Sequence, residues 1–214
     1  MKIILLLVGL LIMDLHADQI IKGNNILKQE EKSVSEYESI NVSGMFNVNI
    51  IESQEKGNIK VSGDSNLLKY IKVEVENKNL TITSTKSFET KNDITINIKT
   101  KQTNKIILNG TINLNIKAIQ NKEFSLKSLG CNNIILNGKV ESLLLDLQGT
   151  VELNALELLS EQVSINAKGN SEIAVNSQKK LDVKLDGICD LKYKGNPKIT
   201  KQVDGILDIV EISE

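Results

Sequence analysis

A glycine recurs about every nineteen residues in the second half of this 214-residue sequence, and this repeat constrains the fold most strongly. Successive members are 20, 19, 20, 18 and 18 residues apart. The third residue after each glycine is Asn, Asp or Glu, and the fourth is Leu or Ile. A unit this small cannot bury its apolar residues alone, so neighbouring units must stack. The six glycines are Gly110, Gly130, Gly149, Gly169, Gly187 and Gly205.

Between the glycines, apolar residues alternate with polar ones, as Val151 and Leu153 and then Val163 and Ile165 show. This period indicates about three short half-buried strands per unit, with a contour of about 60 Å. Such a contour suits one circuit of a three-sided coil, with circuits stacked ~4.8 Å apart. We therefore predict an all-β fold, a single-stranded parallel β-helix with three-sided coils of about 18–20 residues. The alternative is an antiparallel sandwich, but the glycine repeat is longer than one hairpin and keeps its phase.

The first part of the chain is less regular but also reads as β structure. The glycine template fits Gly44 and Gly63, which are 19 residues apart. A hairpin is predicted where Val73–Val75 and Leu80–Ile82 flank the polar residues 76–79. Residues 18–33 read as a polar lead-in. Because no Pro/Gly/Ser-rich linker follows, we predict one domain from residue 34 to 214.

Residues 1–17, MKIILLLVGLLIMDLHA, have the pattern of a signal peptide. Lys2 precedes an apolar run from Ile3 to Met13, and Ala17 stands at a suitable cleavage position. The run is too short to anchor a protein across a bilayer of ~30 Å. We therefore predict cleavage after Ala17 and an exported mature protein without a membrane span, in the periplasm, at the cell surface or outside the cell.

The residue inventory excludes most familiar catalytic chemistry. All 26 basic residues are Lys, and the single histidine, His16, belongs to the predicted signal peptide. The mature chain then lacks the imidazole of a Ser-His-Asp or Cys-His site and the ligands of a structural zinc site. A net charge of -1 gives no reason to expect a nucleic-acid partner. No catalytic, cofactor-binding or metal-binding residue is assigned, and the binding residues stay open.

Acidic residues recur three positions after four of the glycines, and they invite a catalytic or calcium-binding interpretation. Stacking would place neighbouring carboxylates ~5 Å apart, a spacing seen in glycosidases. Because the next residue is apolar and inward, however, these acids should point to water as a solvated face, with Lys192 and Lys194 available to neutralise them. Calcium binding stays an alternative. The acids are Glu152, Glu172, Asp190 and Asp208.

The two cysteines follow glycines that are three units apart. At ~4.8 Å per coil, this separates Cys131 from Cys189 by about 14 Å, whereas a disulfide needs Cα atoms within ~7 Å. We predict two unpaired thiols, with Cys189 packed inward. An intermolecular bridge through Cys131 stays open, as does the oligomeric state.

The order of segments from about residue 34 to 214 resembles the family of putative auto-transporter adhesin, head GIN domains. The resemblance rests on VSGD at 61–64 with NLL at 66–68, on the glycine-punctuated repeats, and on YKGNP at 193–197. It implies a secreted bacterial β-helical domain of adhesin type and carries no catalytic residues.

We therefore expect an exported, non-enzymatic, adhesin-like domain that presents a repetitive surface to a cell-envelope or extracellular protein or glycan. The alternatives are a structural or assembly module of the bacterial cell envelope and a carbohydrate-active β-helix enzyme. Aromatic residues make up 3% of the chain, so no strong sugar-stacking platform is predicted. The lysine-containing stretch from Lys86 to Lys91, which includes Phe88, is interpreted as a solvated turn.

Overall fold

The computed structural model describes residues 20–55 and 57–212, and in these residues the chain is all-β. The predicted signal peptide, residues 1–17, lies outside the described residues. No described helix is long and apolar enough to cross a membrane. The strands are β1 (Ile21–Lys22), β2 (Leu27–Lys32), β3 (Ser39–Glu52), β4 (Ile59–Asp64), β5 (Ile71–Glu76), β6 (Asn79–Ser84), β7 (Phe88–Glu89), β8 (Thr95–Thr100), β9 (Lys105–Lys194) and β10 (Lys198–Glu211), with one 3₁₀ turn at Leu68–Tyr70.

The 90-residue extended segment β9 winds back on itself. Drawn straight, it would measure about 300 Å at ~3.3 Å per residue. Instead, each repeat glycine sits on the backbone of the one before it: a Cβ added to Gly130 would come within 3.0 Å of the Gly110 carbonyl oxygen, and one added to Gly149 would meet Gly130 in the same way. Contacts of this kind continue through Gly169, Gly187 and Gly205. The chain thus returns over itself every 18–20 residues.

Parallel pairing also connects the neighbouring strands. Strand β10 lies parallel to the end of β9, with Lys198 opposite Lys180 and Gly205 opposite Gly187. Strand β3 lies parallel to the start of β9, with Gly44 opposite Gly110. Equivalent residues of successive circuits therefore lie directly over one another.

The apolar residues four positions after the glycines point into a common core, as predicted. Five of them are at most 2% exposed, and the sixth, Ile209, is half-buried because β10 ends the stack. One side chain breaks this pattern in the last circuit: Lys201 lies opposite the buried Val183. A charge at an inward position discourages a further strand from adding to this edge. The five buried residues are Leu114, Ile134, Leu153, Ile173 and Leu191.

The interpretation of Gly63 as a repeat corner is wrong. Gly63 lies within β4 and pairs antiparallel with Lys28 of β2, whereas Gly44 stacks directly with Gly110. Between β3 and β9, strands β6 and β8 lie beside β3 in parallel pairing, whereas β4 and β5 pair antiparallel with their neighbours. Position 63 favours glycine for another reason, because an added Cβ would clash with the side chain of Ile94.

The strands between β3 and β9 combine parallel pairing of β6 and β8 with β3 and antiparallel pairing of β4 with β8 and of β5 with β6, so the structure as a whole contains mixed sheets. The predicted hairpin is confirmed: β5 and β6 pair antiparallel, and the positive φ values of Asn77 (48°) and Lys78 (61°) match a two-residue type I′ turn. Strand β2, within the stretch interpreted as a polar lead-in, pairs antiparallel with β4. The sequence pattern had not indicated this strand.

A buried carboxylate joins β3 to the first circuit of β9. Glu52 is 7% exposed and accepts hydrogen bonds from the backbone N–H groups of Thr103 (3.0 Å) and Gln120 (3.1 Å) and from Nδ2 of Asn121 (3.2 Å). These donors compensate for the loss of hydration that burial imposes on a carboxylate. Glu52 therefore ties together three segments that are distant in sequence.

The substitution Gly149→Ala should destabilise the protein strongly. Gly149 has a φ of 111°, and the new Cβ would press on the carbonyl oxygen of Gly130, which is rigid backbone. Strain at such a φ alone costs about 1–3 kcal/mol, and the clash adds to it. We expect a loss of at least about 2 kcal/mol in the free energy of unfolding, measured by urea denaturation.

The matched control is Gly57→Ala, where the new Cβ would come 3.1 Å from Cβ of Lys99 and the backbone has no positive φ. We expect its loss to be smaller, because this contact is longer than the approach to the Gly130 carbonyl oxygen and no strain from a positive φ adds to it. Equal losses for the two variants would contradict the importance of the Gly149 stack.

Candidate functional site

An array of asparagine side chains covers one outer face of the stack where β8, β3 and the first circuits of β9 lie side by side. These residues alternate with buried ones such as Val48 and Leu114, so their side chains project outward. Asn49 lies between Asn97 and Asn115, and Asn47 lies opposite Asn113. We call this array the asparagine ladder: Asn47, Asn49, Asn97, Asn113, Asn115 and Asn133.

Hydrogen bonds between the circuits hold the ladder side chains in place. Nδ2 of Asn113 donates to Oδ1 of Asn47 (2.8 Å), and Nδ2 of Asn49 donates to Oδ1 of Asn97 (3.0 Å). Nδ2 of Asn47 donates to the Asp93 carboxylate (3.0 Å). The ladder is therefore an ordered, uncharged surface that retains both donors and acceptors, because each amide has more hydrogen-bonding capacity than these bonds use.

The side-chain oxygen of Asn115, Oδ1, is buried and has no hydrogen-bond donor among the described residues. The step from Gly110 to Gly130 puts Ile135, which has no side-chain donor, beside it in the next circuit. Both residues line a shallow depression of about 350 Å³. A buried acceptor without a donor is costly, so this part of the ladder carries an energetic cost that the fold tolerates.

A cleft of about 410 Å³ adjoins the ladder and shares Asn47 and Asn113 with it. Apolar side chains from distant parts of the sequence line this cleft, with Met45 and Phe88 at its open side and Phe46 and Ile94 beneath. Ile20 adds to the apolar lining, and the polar lining comes from Glu89, Thr90, Asp93 and Thr111 as well as from the two ladder residues.

The position of Phe88 depends on the short parallel pair β1–β7. Ile21 lies opposite Phe88, and the backbone bonds Ile21 N to Ser87 O (3.1 Å) and Gly23 N to Glu89 O (2.8 Å) hold this pair. The stretch from Lys86 to Lys91 is therefore not simply a solvated turn, since it places a half-buried aromatic ring beside the ladder. The prediction that the chain has no strong sugar-stacking platform stays a prediction, since Phe88 is a single half-buried ring.

A second buried carboxylate fixes the polar margin of the cleft. Asp64 is fully buried and accepts hydrogen bonds from the Thr90 hydroxyl (2.6 Å) and from Nδ2 of Asn92 (2.8 Å). The Thr90 Oγ1 in turn accepts a bond from the backbone N–H of Asn92 (3.0 Å). These bonds order the turn that carries Asp93. No local sequence pattern indicates this role, because Asp64 and Thr90 are 26 residues apart.

The acids three positions after the glycines are all exposed, as predicted for a solvated face. Lys192, one of the two lysines expected to neutralise them, binds Glu172 at 3.1 Å. Within residues 20–55 and 57–212, no group of three or more His, Cys, Asp and Glu side chains is arranged to hold a metal ion. The acids extend the asparagine ladder face toward β10 with negative charge: Glu152, Glu172, Asp190 and Asp208.

Both cysteines are free thiols, as predicted. Cys131 is exposed on the ladder side of Gly130, and Cys189 is buried in the core at 1% exposure. Burial raises the pKa of the Cys189 thiol, so its reactive thiolate form is disfavoured at neutral pH.

Comparison with known proteins gives a family and a fold. Residues 36–197 match the family model described as "Putative auto-transporter adhesin, head GIN domain". Among solved structures, a putative adhesin from Bacteroides fragilis is similar over 89% of this chain and all of its own, with 20% identity and a TM-score of 0.68. A putative lipid binding protein from Parabacteroides distasonis is similar over 91% and 100%, with 20% identity and a TM-score of 0.59. At this identity the likeness shows the fold alone. No curated protein matches the chain.

The two thiols should react at very different rates with a thiol-specific reagent such as dithionitrobenzoate. We expect one equivalent to react rapidly at neutral pH, from Cys131, and the second only after unfolding in guanidinium chloride. The variant Cys131→Ser should lose the rapid reaction and keep the reaction that requires unfolding. Rapid reaction of both thiols in the folded protein would contradict the inward placement of Cys189.

Proposed function

Because this chain belongs to the family of the putative auto-transporter adhesin, head GIN domain, we propose that it is an exported, non-enzymatic adhesin-like protein that binds a cell-envelope or extracellular partner through the asparagine ladder and the adjoining cleft. The proposal rests on one observation above the others. An ordered, uncharged array of amides lies on a rigid stack and continues into an apolar cleft.

The architecture that we propose for this task is a parallel β-helix of three-sided coils. The glycine-on-glycine contacts and the parallel register of β10 on β9, offset by 18 residues, support it. In such a coil each outward position becomes a column that runs along the axis. Repetition of this kind suits adhesion, because many weak contacts act together when both surfaces are regular.

We propose that residues 1–17 are a signal peptide that is removed on export, that residues 18–33 form a lead-in, and that residues 34–214 form the head-GIN-like domain. The pairing of β2 with β4 attaches part of the lead-in to that domain. The exported protein then acts in the periplasm, at the cell surface or outside the cell.

A non-enzymatic role agrees with the state of the carboxylates. The repeated acids are exposed, and Glu172 is paired with Lys192. The buried Glu52 and Asp64 receive hydrogen bonds that tie segments of the fold together. A glycosidase needs two carboxyl groups that face each other across a cleft. Neither group of carboxylates supports that arrangement.

The test uses beads coated with the purified exported protein, applied to bacterial envelope preparations and to epithelial cells. We expect the wild-type beads to bind at least one of these surfaces. The triple variant Asn49→Ala, Asn113→Ala, Asn115→Ala should bind about tenfold or more weakly, since each amide hydrogen bond contributes about 0.5–1.5 kcal/mol and a tenfold change corresponds to about 1.4 kcal/mol.

The matched control replaces three asparagines that lie outside the ladder, in the variant Asn109→Ala, Asn137→Ala, Asn196→Ala. It should bind like the wild type, and circular dichroism should show both variants folded. If the two triple variants bind equally, the ladder is not the binding face. If the wild-type protein binds none of the surfaces, the adhesive function itself is wrong.

A further inference from the structure

We infer that the ligand of this face is a neutral glycan, with one sugar residue seated in the cleft and the following residues lying along the asparagine ladder. This inference rests on the proposed adhesive function and names the chemical class that the face would recognise. The geometry that carries it is the direct continuation of an apolar, aromatic-lined cleft into a row of amides through Asn47 and Asn113.

A sugar ring has two kinds of surface, and the cleft offers a counterpart to each. Its C–H face is apolar and packs against an aromatic or thioether side chain, which Phe88 and Met45 provide. Its hydroxyl groups both donate and accept hydrogen bonds. Asp93 accepts, whereas Asn47 and Asn113 each present an amide that does both.

The absence of a side chain at Gly44 leaves room for the Phe46 ring at the floor of the cleft. Gly44, at a φ of 137°, has no side chain, and an added Cβ would come 2.7 Å from Cε2 of Phe46. The Phe46 ring therefore lies against the glycine corner and is 3% exposed. Met45, the next residue outward, is 64% exposed. An exposed methionine beside a half-buried phenylalanine is available for contact with a ligand.

Beyond the cleft, the ladder offers regularly spaced hydrogen-bonding groups to an extended polymer. Its amides repeat with the ~4.8 Å step of stacked strands, so equivalent groups meet a chain that runs along the axis at regular intervals. Asn49, Asn113 and Asn133 line this path. Their amides can both donate to and accept from sugar hydroxyls without bringing a charge into the depression.

The surrounding charges favour a neutral glycan over an anionic one. Asp93 and Glu89 stand at the cleft, and Glu152 continues the column that begins with the ladder. An acidic polysaccharide laid along this face would meet carboxylates at both ends of the ladder. An acyl chain would fill the apolar part of the cleft, but it would leave the amides and Asp93 without hydrogen-bonding partners.

The experiment removes one class of ligand at a time from a surface that the coated beads bind. Mild periodate oxidises the vicinal diols of sugars, protease digests exposed protein, and chloroform–methanol extracts lipid. We expect periodate to reduce bead binding at least about tenfold, and the other two treatments to leave more than half of it. Loss of binding with protease alone would indicate a protein ligand, and loss with extraction alone a lipid. Either result would overturn the glycan inference and leave the adhesive function standing.

Two variants then connect the glycan to the cleft. Phe88→Ala should reduce the periodate-sensitive binding several-fold, whereas Ile206→Ala removes an exposed apolar side chain far along the same face and should leave it unchanged. Thermal melting checks that both variants are folded. Unchanged periodate-sensitive binding by Phe88→Ala would overturn the placement of a sugar in the cleft. Absence of wild-type binding to any untreated surface would instead show that the proposed function fails.

Discussion

The contact of one glycine backbone with the next is the constraint on which the rest of this structure depends. At each corner, the carbonyl oxygen of one repeat glycine occupies the space where the next would carry a Cβ. Any other residue would clash with that oxygen and, at φ values such as 111° for Gly149, would also be strained. The spacing of these contacts fixes the step of 18–20 residues, and this step places like side chains over like.

The columns that result account for both the core and the surface. Inward columns of Leu, Ile and Val bury one another, while outward columns depend only on what the sequence places at equivalent positions. On one face those positions are asparagines near β3 and acids farther along. The strands inserted between β3 and β9 then add Asn97 to the ladder, on β8 parallel to β3, and bring Phe88 to its side. The repeat places equivalent side chains in columns. The strands inserted between β3 and β9 add the cleft, which distinguishes this part of the face from the rest.

The sequence predicted what depends on local pattern, and it missed what depends on distant contacts. The inward position of Leu153, the type I′ hairpin at Asn77 and the free thiol of Cys189 each follow from spacing within one or a few repeats. The cleft does not, because Met45 and Phe88 are brought together by strands that no periodicity connects. The prediction for Gly63 failed because it also depends on a distant contact. The residues around Gly63 fit the glycine template, but its strand β4 pairs with β2.

Distances between spin labels placed one residue after the corner glycines would test the stacking most directly. In a Cys131→Ser background, with Cys189 buried, pairs that join Thr111 to Asn170, to Ile188 and to Ile206 span three, four and five steps. At ~4.8 Å per step, electron–electron double resonance should give separations of about 14, 19 and 24 Å between the labelled backbones. Separations that fail to increase in this order, or that grow by much more than one strand spacing per repeat, would contradict the account.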